Sequence, residues 1–125
     1  MASHNDLGKW GEETAVKFLR EKGYTIRECD WKFGKRDIDV IALTPDETTV
    51  VFVEVKTRAT DAVTSPEEAV NNSKIRSIGL AANAYVKMNN EPLELRFDVI
   101  SIVGTNNENM RIEHIEDAFN PLLLF

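Results

Sequence analysis

The chain has 125 residues, 42% hydrophobic and 29% charged, the size and composition of a single domain (residues 1–125) with one core. No apolar run approaches the ~20 residues of a membrane span, and Met1-Ala2-Ser3-His4-Asn5-Asp6 lacks the basic and apolar regions of a secretory signal. A net charge of −6 excludes a uniformly basic nucleic-acid coat protein. The lone Cys29 excludes an internal disulfide and a paired-cysteine zinc site, so a cytoplasmic protein of a reducing compartment is expected.

The charge is uneven along the chain. Of the 15 Lys and Arg residues, 12 precede Ser77, seven of them between Lys17 and Arg36. A locally basic face on an acidic protein is therefore compatible with the composition.

In chain order, Asp6 to Lys22 reads as a helix, with Gly11, Ala15, Phe18 and Leu19 on one stripe, Asn5 or Asp6 as cap and Gly23 as stop. Three strands follow: Tyr24 to Lys32, Arg36 to Thr44, and Thr49 to Thr57. Thr44-Pro45-Asp46-Glu47-Thr48 supplies turn chemistry between the last two. Ser65-Pro66-Glu67-Glu68 carries the cap, first-turn proline and glutamate of a capping box. The helix it announces runs to about Met88 on the stripe Ala69, Ile75, Ile78, Ala82, Tyr85 and Val86. Leu93 to Val103 reads as a strand, and a short strand or helical turn spans Arg111 to Phe119. The order α-β-β-β-α-β predicts an α/β domain with a mixed central sheet flanked by helices.

The chemistry concentrates on the hairpin of the second and third strands. A turn centred between Asp46 and Glu47 pairs Val40 with Val53 and Ala42 with Val51, and extends to Ile38 opposite Val55, an apolar face that belongs on a core. The other face pairs Asp37 with Lys56, Asp39 with Glu54, and Ile41 with Phe52. Carboxylates directly opposed across a hairpin repel each other unless a proton or cation lies between them. A hard divalent ion such as Mg²⁺ suits one or two carboxylates with a backbone carbonyl and waters. Lys56, on the same face, could steady a phosphate oxygen, which would make a phosphodiester hydrolysis site; equally, it could only salt-bridge Asp37.

Gly11-Glu12 with Ala15, Gly23-Tyr24, Asp37-Ile38-Asp39-Val40-Ile41, Val51-Phe52-Val53-Glu54-Val55-Lys56-Thr57-Arg58, Lys74 and Arg96-Phe97-Asp98-Val99-Ile100 resemble the YraN family of largely uncharacterised bacterial proteins. That family is similar in turn to the PD-(D/E)XK nucleases and to Holliday-junction resolvases among them. The resemblance implies a restriction-endonuclease-like αβββαβ core with a Mg²⁺ or Mn²⁺ site. It implies Asp39 and Glu54 as metal ligands with the Val55 carbonyl as a third, Lys56 as the catalytic lysine and Glu12 as the helix acid completing the site. It further implies DNA, in branched or flapped form, as substrate, and a symmetric homodimer, although no dimer surface is legible in these residues. The family's usual Gly-Glu-Ile-Asp is Arg36-Asp37-Ile38-Asp39 here, which keeps the acid but shortens it.

Phosphate contacts in this reading come from Lys35, Arg36, Arg58 and Lys74. Trp10, Trp31 and Phe33 suit base stacking or ordinary packing. Strand alternation leaves an outward-facing Asp98 open and gives it no role, and His4 and His114 have no ligand spacing. The competing expectations are a nucleic-acid-binding module of the same fold without turnover, and an interaction domain using the apolar tail Leu122 to Phe125.

Overall fold

The computed structural model describes residues 4–60 and 71–121. Helix α1 (His4–Glu21) begins just ahead of the expected cap, so Asn5 and Asp6 lie within its first turn, where the charge of Asp6 complements the helix dipole. Its end is as expected. Gly23 adopts φ 93, its N–H donates to the Arg20 carbonyl at 3.0 Å, and that of Tyr24 donates to Leu19 at 3.0 Å, a Schellman closure.

Strands β1 (Thr25–Phe33), β2 (Arg36–Leu43) and β3 (Thr49–Arg58) follow, then α2 (Asn72–Asn89), β4 (Glu94–Asn106) and β5 (Asn109–Ile115). The final element is thus a strand rather than a helical turn. The expected cap at Ser65 to Glu68 lies outside the described residues. Helix α2 as described is capped by Asn71, whose side chain accepts the Lys74 N–H at 2.9 Å. Between β2 and β3, Asp46 accepts from the Thr44 hydroxyl at 2.7 Å and the Thr48 hydroxyl at 2.8 Å, the turn chemistry the sequence predicts.

The sheet order is β1-β2-β3-β4-β5. The β3–β4 pair is parallel, because the chain crosses over through α2 between them; the other neighbours are antiparallel. The central strand β3 is buried on both faces from Val50 to Val53, as its unbroken apolar run requires. Ala15 and Leu19 of α1 cover one face over Val40, Ala42, Val51, Val53, Ile100 and Ile102. Ile78, Ala82 and Tyr85 of α2 cover the other over Ile41, Leu43, Val50 and Phe52. Among the described residues no helix is long and apolar enough to cross a membrane.

The β2–β3 register is the expected one: Val40 pairs with Val53, Ile41 with Phe52, Ala42 with Val51 and Leu43 with Val50. It ends at Val40, and there the expectation for Ile38 fails. Ile38 packs on the α2 side with Ile41, whereas Val40 packs on the α1 side. The strand therefore changes face at Asp39. Strand β1 does the same across from it: Cys29 lines a cleft beside α1, Trp31 packs toward α2, and Asp30 between them takes a left-handed φ of 50. One left-handed residue breaks the alternation in which neighbours point to opposite faces. The two strands turn over together and stay paired at Trp31↔Ile38.

Candidate functional site

The face change puts Asp39 in a fork where β2 leaves β3. Asp39 Oδ2 accepts the Val55 N–H at 2.8 Å, replacing the ladder bond the strand would have supplied. A residue's N–H and C=O in an antiparallel strand point to the same edge, so the Val55 carbonyl lies on the Asp39 side as well. From here Asp39 reaches two further carboxyls. Glu12 arrives from α1, lining one cleft with Asp39, and Glu54 arrives from β3, close enough for the two charges to interact.

The electrostatics follow from that crowding. Burial, and then the Asp39 charge, push the Glu54 carboxyl up to about 8, with Lys74 and Lys56 pulling the other way. Burial and the hydrogen bond and charge of Asp39 push Glu12 up to about 7. Crowding of this kind favours the protonated forms of Glu12 and Glu54. Among the described residues no three His, Cys, Asp or Glu side chains already form a metal-ligating group. The donor chemistry of these carboxyls, hard oxygens beside a backbone carbonyl, nonetheless fits a hard divalent cation, which commonly takes only one or two carboxylates and completes its shell with water.

Lys74 of α2 belongs to this cluster, with Nζ 3.7 Å from Asp37 and 3.8 Å from Glu54. Burial opposes its charge, but Glu54, Asp37 and Asp39 outweigh it and raise its pKa. The expected Asp37–Lys56 pair is thus replaced: once β2 splays away from β3, Asp37 meets Lys74. Lys56 stays on the Glu54 side, and among the described residues no carboxylate comes within ion-pair distance of it. Of the other residues expected to contact phosphate, Arg36 leans on α2, its Nη1 3.4 Å from Ser77 Oγ. Lys35 is exposed in the β1–β2 turn, and Arg58 ends β3.

Gly11 is what lets Glu12 come this close. A Cβ there would lie 1.9 Å from Thr57 Oγ1 and 2.9 Å from Thr57 Cβ. Gly11→Ala is therefore expected to cost about 1–3 kcal/mol as overpacking and to move Glu12 off Asp39. Thermal melts of Gly11→Ala alone and with Thr57→Ala check this; the second change should restore part of the loss.

A second polar centre escaped the sequence reading. Asp98 faces inward and is fully buried. Arg96 donates to it twice, at 2.9 and 2.8 Å, and the Asp117 N–H donates at 2.9 Å. His114 Nε2 lies 2.7 Å from it, while Nδ1 lies 2.7 Å from Lys22 Nζ. Lysine has only protons to give, so Nδ1 accepts from Lys22 and Nε2 donates to Asp98. Arg96 also donates to the Tyr24 hydroxyl at 2.8 Å. Burial alone would raise the Asp98 pKa, but the His114, Arg96 and Asp117 hydrogen bonds hold it below the usual range. The available signal was parity: Asp98 shares its strand face with the buried Ile100 and Ile102.

Comparison with known proteins adds a lineage. The model of "Uncharacterised protein family UPF0102" matches residues 11–102. A UPF0102 protein of Flavobacterium psychrophilum is 48% identical over 119 residues, covering 95% of this chain and 98% of its own. One of Bacteroides thetaiotaomicron is 46% identical over 123 residues, covering 98% and 99%. One of Porphyromonas gingivalis is 49% identical over 125 residues, covering 99% and 90%. Among solved structures, Pyrococcus furiosus SfsA in complex with Ca²⁺ has 12% identity and a TM-score of 0.32 over 88% of this chain and 62% of its own, a likeness too slight to bear on the site.

Proposed function

We propose that this chain, which belongs to the uncharacterised protein family UPF0102, is a Mg²⁺- or Mn²⁺-dependent endonuclease that hydrolyses phosphodiester bonds in structured or branched DNA. The observation that carries the reading is the convergence of Glu12 and Glu54, from two further elements, on Asp39 at the point where the sheet forks. A fold gains no stability from such a meeting, since each carboxyl raises the cost of ionising the next. A functional demand for clustered hard oxygens accounts for it.

In this reading Asp39, Glu54 and the Val55 carbonyl hold the cation, which when bound supplies Lewis acidity at a phosphoryl oxygen. Asp39 is oriented for this by the Val55 N–H. Lys56 sets its ammonium beside the phosphoryl charge. Glu12, with its carboxyl near 7, can take a proton from an attacking water at neutral pH. Lys74 holds Glu54 from the α2 side and limits the net negative charge that would repel DNA.

The test is incubation with Mn²⁺ or Mg²⁺ and a panel of junction, flap, single-stranded and duplex DNA. Wild type is expected to cleave, and Asp39→Ala, Glu54→Ala or Lys56→Ala to lose roughly 100-fold or more. A wild type that cleaves none of them, or variants that cleave equally well, overturns the reading.

A further inference from the structure

Beside the carboxylates, on the α2 side of the sheet, the β1–β2 hairpin ends in a basic and aromatic tip, Lys32-Phe33-Gly34-Lys35-Arg36. Phe33 is 46% exposed. Its ring lies parallel to Trp31, with centroids 6.4 Å apart and planes 3° apart. Trp31 in turn stands edge-on against the buried Tyr85 at 5.4 Å. This is a short aromatic stack, anchored in the core at one end and open to solvent at the other.

Arg36 pairs directly with Phe33 across the hairpin and so shares its face. It lines a pocket of about 340 Å³ with Asn72, Ser73, Arg76, Ser77 and Leu80. Ser73, Arg76, Ser77 and Leu80 are spaced i, i+3, i+4 and i+7, one stripe of α2. The pocket therefore presents two guanidinium groups, two hydroxyls and an amide. Lys74, next to Ser73 in the chain, links this wall to the Asp37 and Glu54 carboxylates.

We propose that the hairpin tip and this α2 stripe form a binding site for one unpaired nucleotide, its base stacked on Phe33 and its phosphate in the Arg36–Arg76–Ser77 pocket. Every base has an aromatic face, so the site is indifferent to sequence but requires the base to be out of a duplex. Guanidinium groups match a phosphate in geometry as well as charge. The inference rests on the nuclease reading for why a DNA strand reaches this face. It sharpens that reading to substrates with an unpaired segment beside the scissile bond.

The experiment is fluorescence anisotropy of a labelled single-stranded oligothymidylate and of a matched duplex, in EDTA so that nothing is cleaved. Wild type is expected to prefer the single strand. Phe33→Ala should weaken that binding roughly tenfold, and Phe33→Trp should restore it. Arg36→Gln with Arg76→Gln should weaken it and flatten its salt dependence. Far-UV circular dichroism of each variant checks the fold. Equal affinity for duplex, no binding by wild type, or a folded Phe33→Ala that binds like wild type overturns the proposal. Wild type that binds as expected but cleaves nothing with Mn²⁺ overturns the nuclease reading and leaves the nucleotide site standing.

Discussion

Replacing Glu54 with glutamine is expected to stabilise the protein at mildly alkaline pH while abolishing cleavage. The Glu54 carboxyl sits near 8 in the folded chain, raised first by burial and then by Asp39, against about 4.3 when unfolded. Between those values the folded state binds more protons than the unfolded one. Stability therefore falls as pH rises through this window and is flat below it. Glu12, near 7, adds to the same slope. Glutamine keeps the shape and cannot ionise, so the slope should flatten. The gain at pH 8 is of order 2 kcal/mol, several degrees in melting temperature for a domain of this size. Melting curves from pH 5 to 8.5 check the sign. Mn²⁺ should raise the melting temperature of wild type at pH 8 by binding the folded state, and should do so far less for Glu54→Gln. A wild type whose stability rises with pH across this window would contradict the picture of crowded carboxyls.

The opposite result is expected at Asp98. Asp98→Asn removes the charge that Arg96, His114 and the Asp117 N–H all face in a fully buried position. Breaking one side of such a network typically costs about 3–5 kcal/mol, enough to take most of a small domain's stability. The pH sign is also reversed. The folded Asp98 carboxyl is held below the usual range, so its contribution is fully present above the unfolded value, about 3.9, and is lost as pH falls through the folded one. Urea unfolding at pH 7 measures the main loss, and acid titration of both proteins should show wild type losing more stability below about pH 4 than Asp98→Asn does. Adding Arg96→Met should cost less than the sum of the single changes, because the cation that Asp98 leaves behind is then gone too. Losses that simply add would mean that the pair is not coupled.

These two residues mark what was legible in the sequence. Glu54 was in part, because period-two alternation along Val50 to Lys56 and the turn at Asp46 set the hairpin register as far as Val40 and Val53; the expected pairing of Asp39 with Glu54 just beyond it does not form. Asp98 was not, although its parity with Ile100 and Ile102 pointed inward. Its partners Arg96, His114 and Asp117 are brought together only when β4 and β5 pair. The place of Lys74 beside Asp37 and Glu54 is set by the packing of α2 on the sheet, which no local pattern shows.

The sequence by itself determined the order of elements, the helix stop at Gly23, the β2–β3 register and the identity of the acids and lysine on that hairpin. All of these depend on residues near one another in the chain, where backbone geometry alone dictates which side chains share a face. Only the tertiary structure decided that β1 and β2 change face at Asp30 and Asp39, that Gly11 brings α1 against Thr57 so that Glu12 lines one cleft with Asp39, and that the sheet forks there. Those outcomes depend on contacts between residues tens of positions apart, and no local period encodes them.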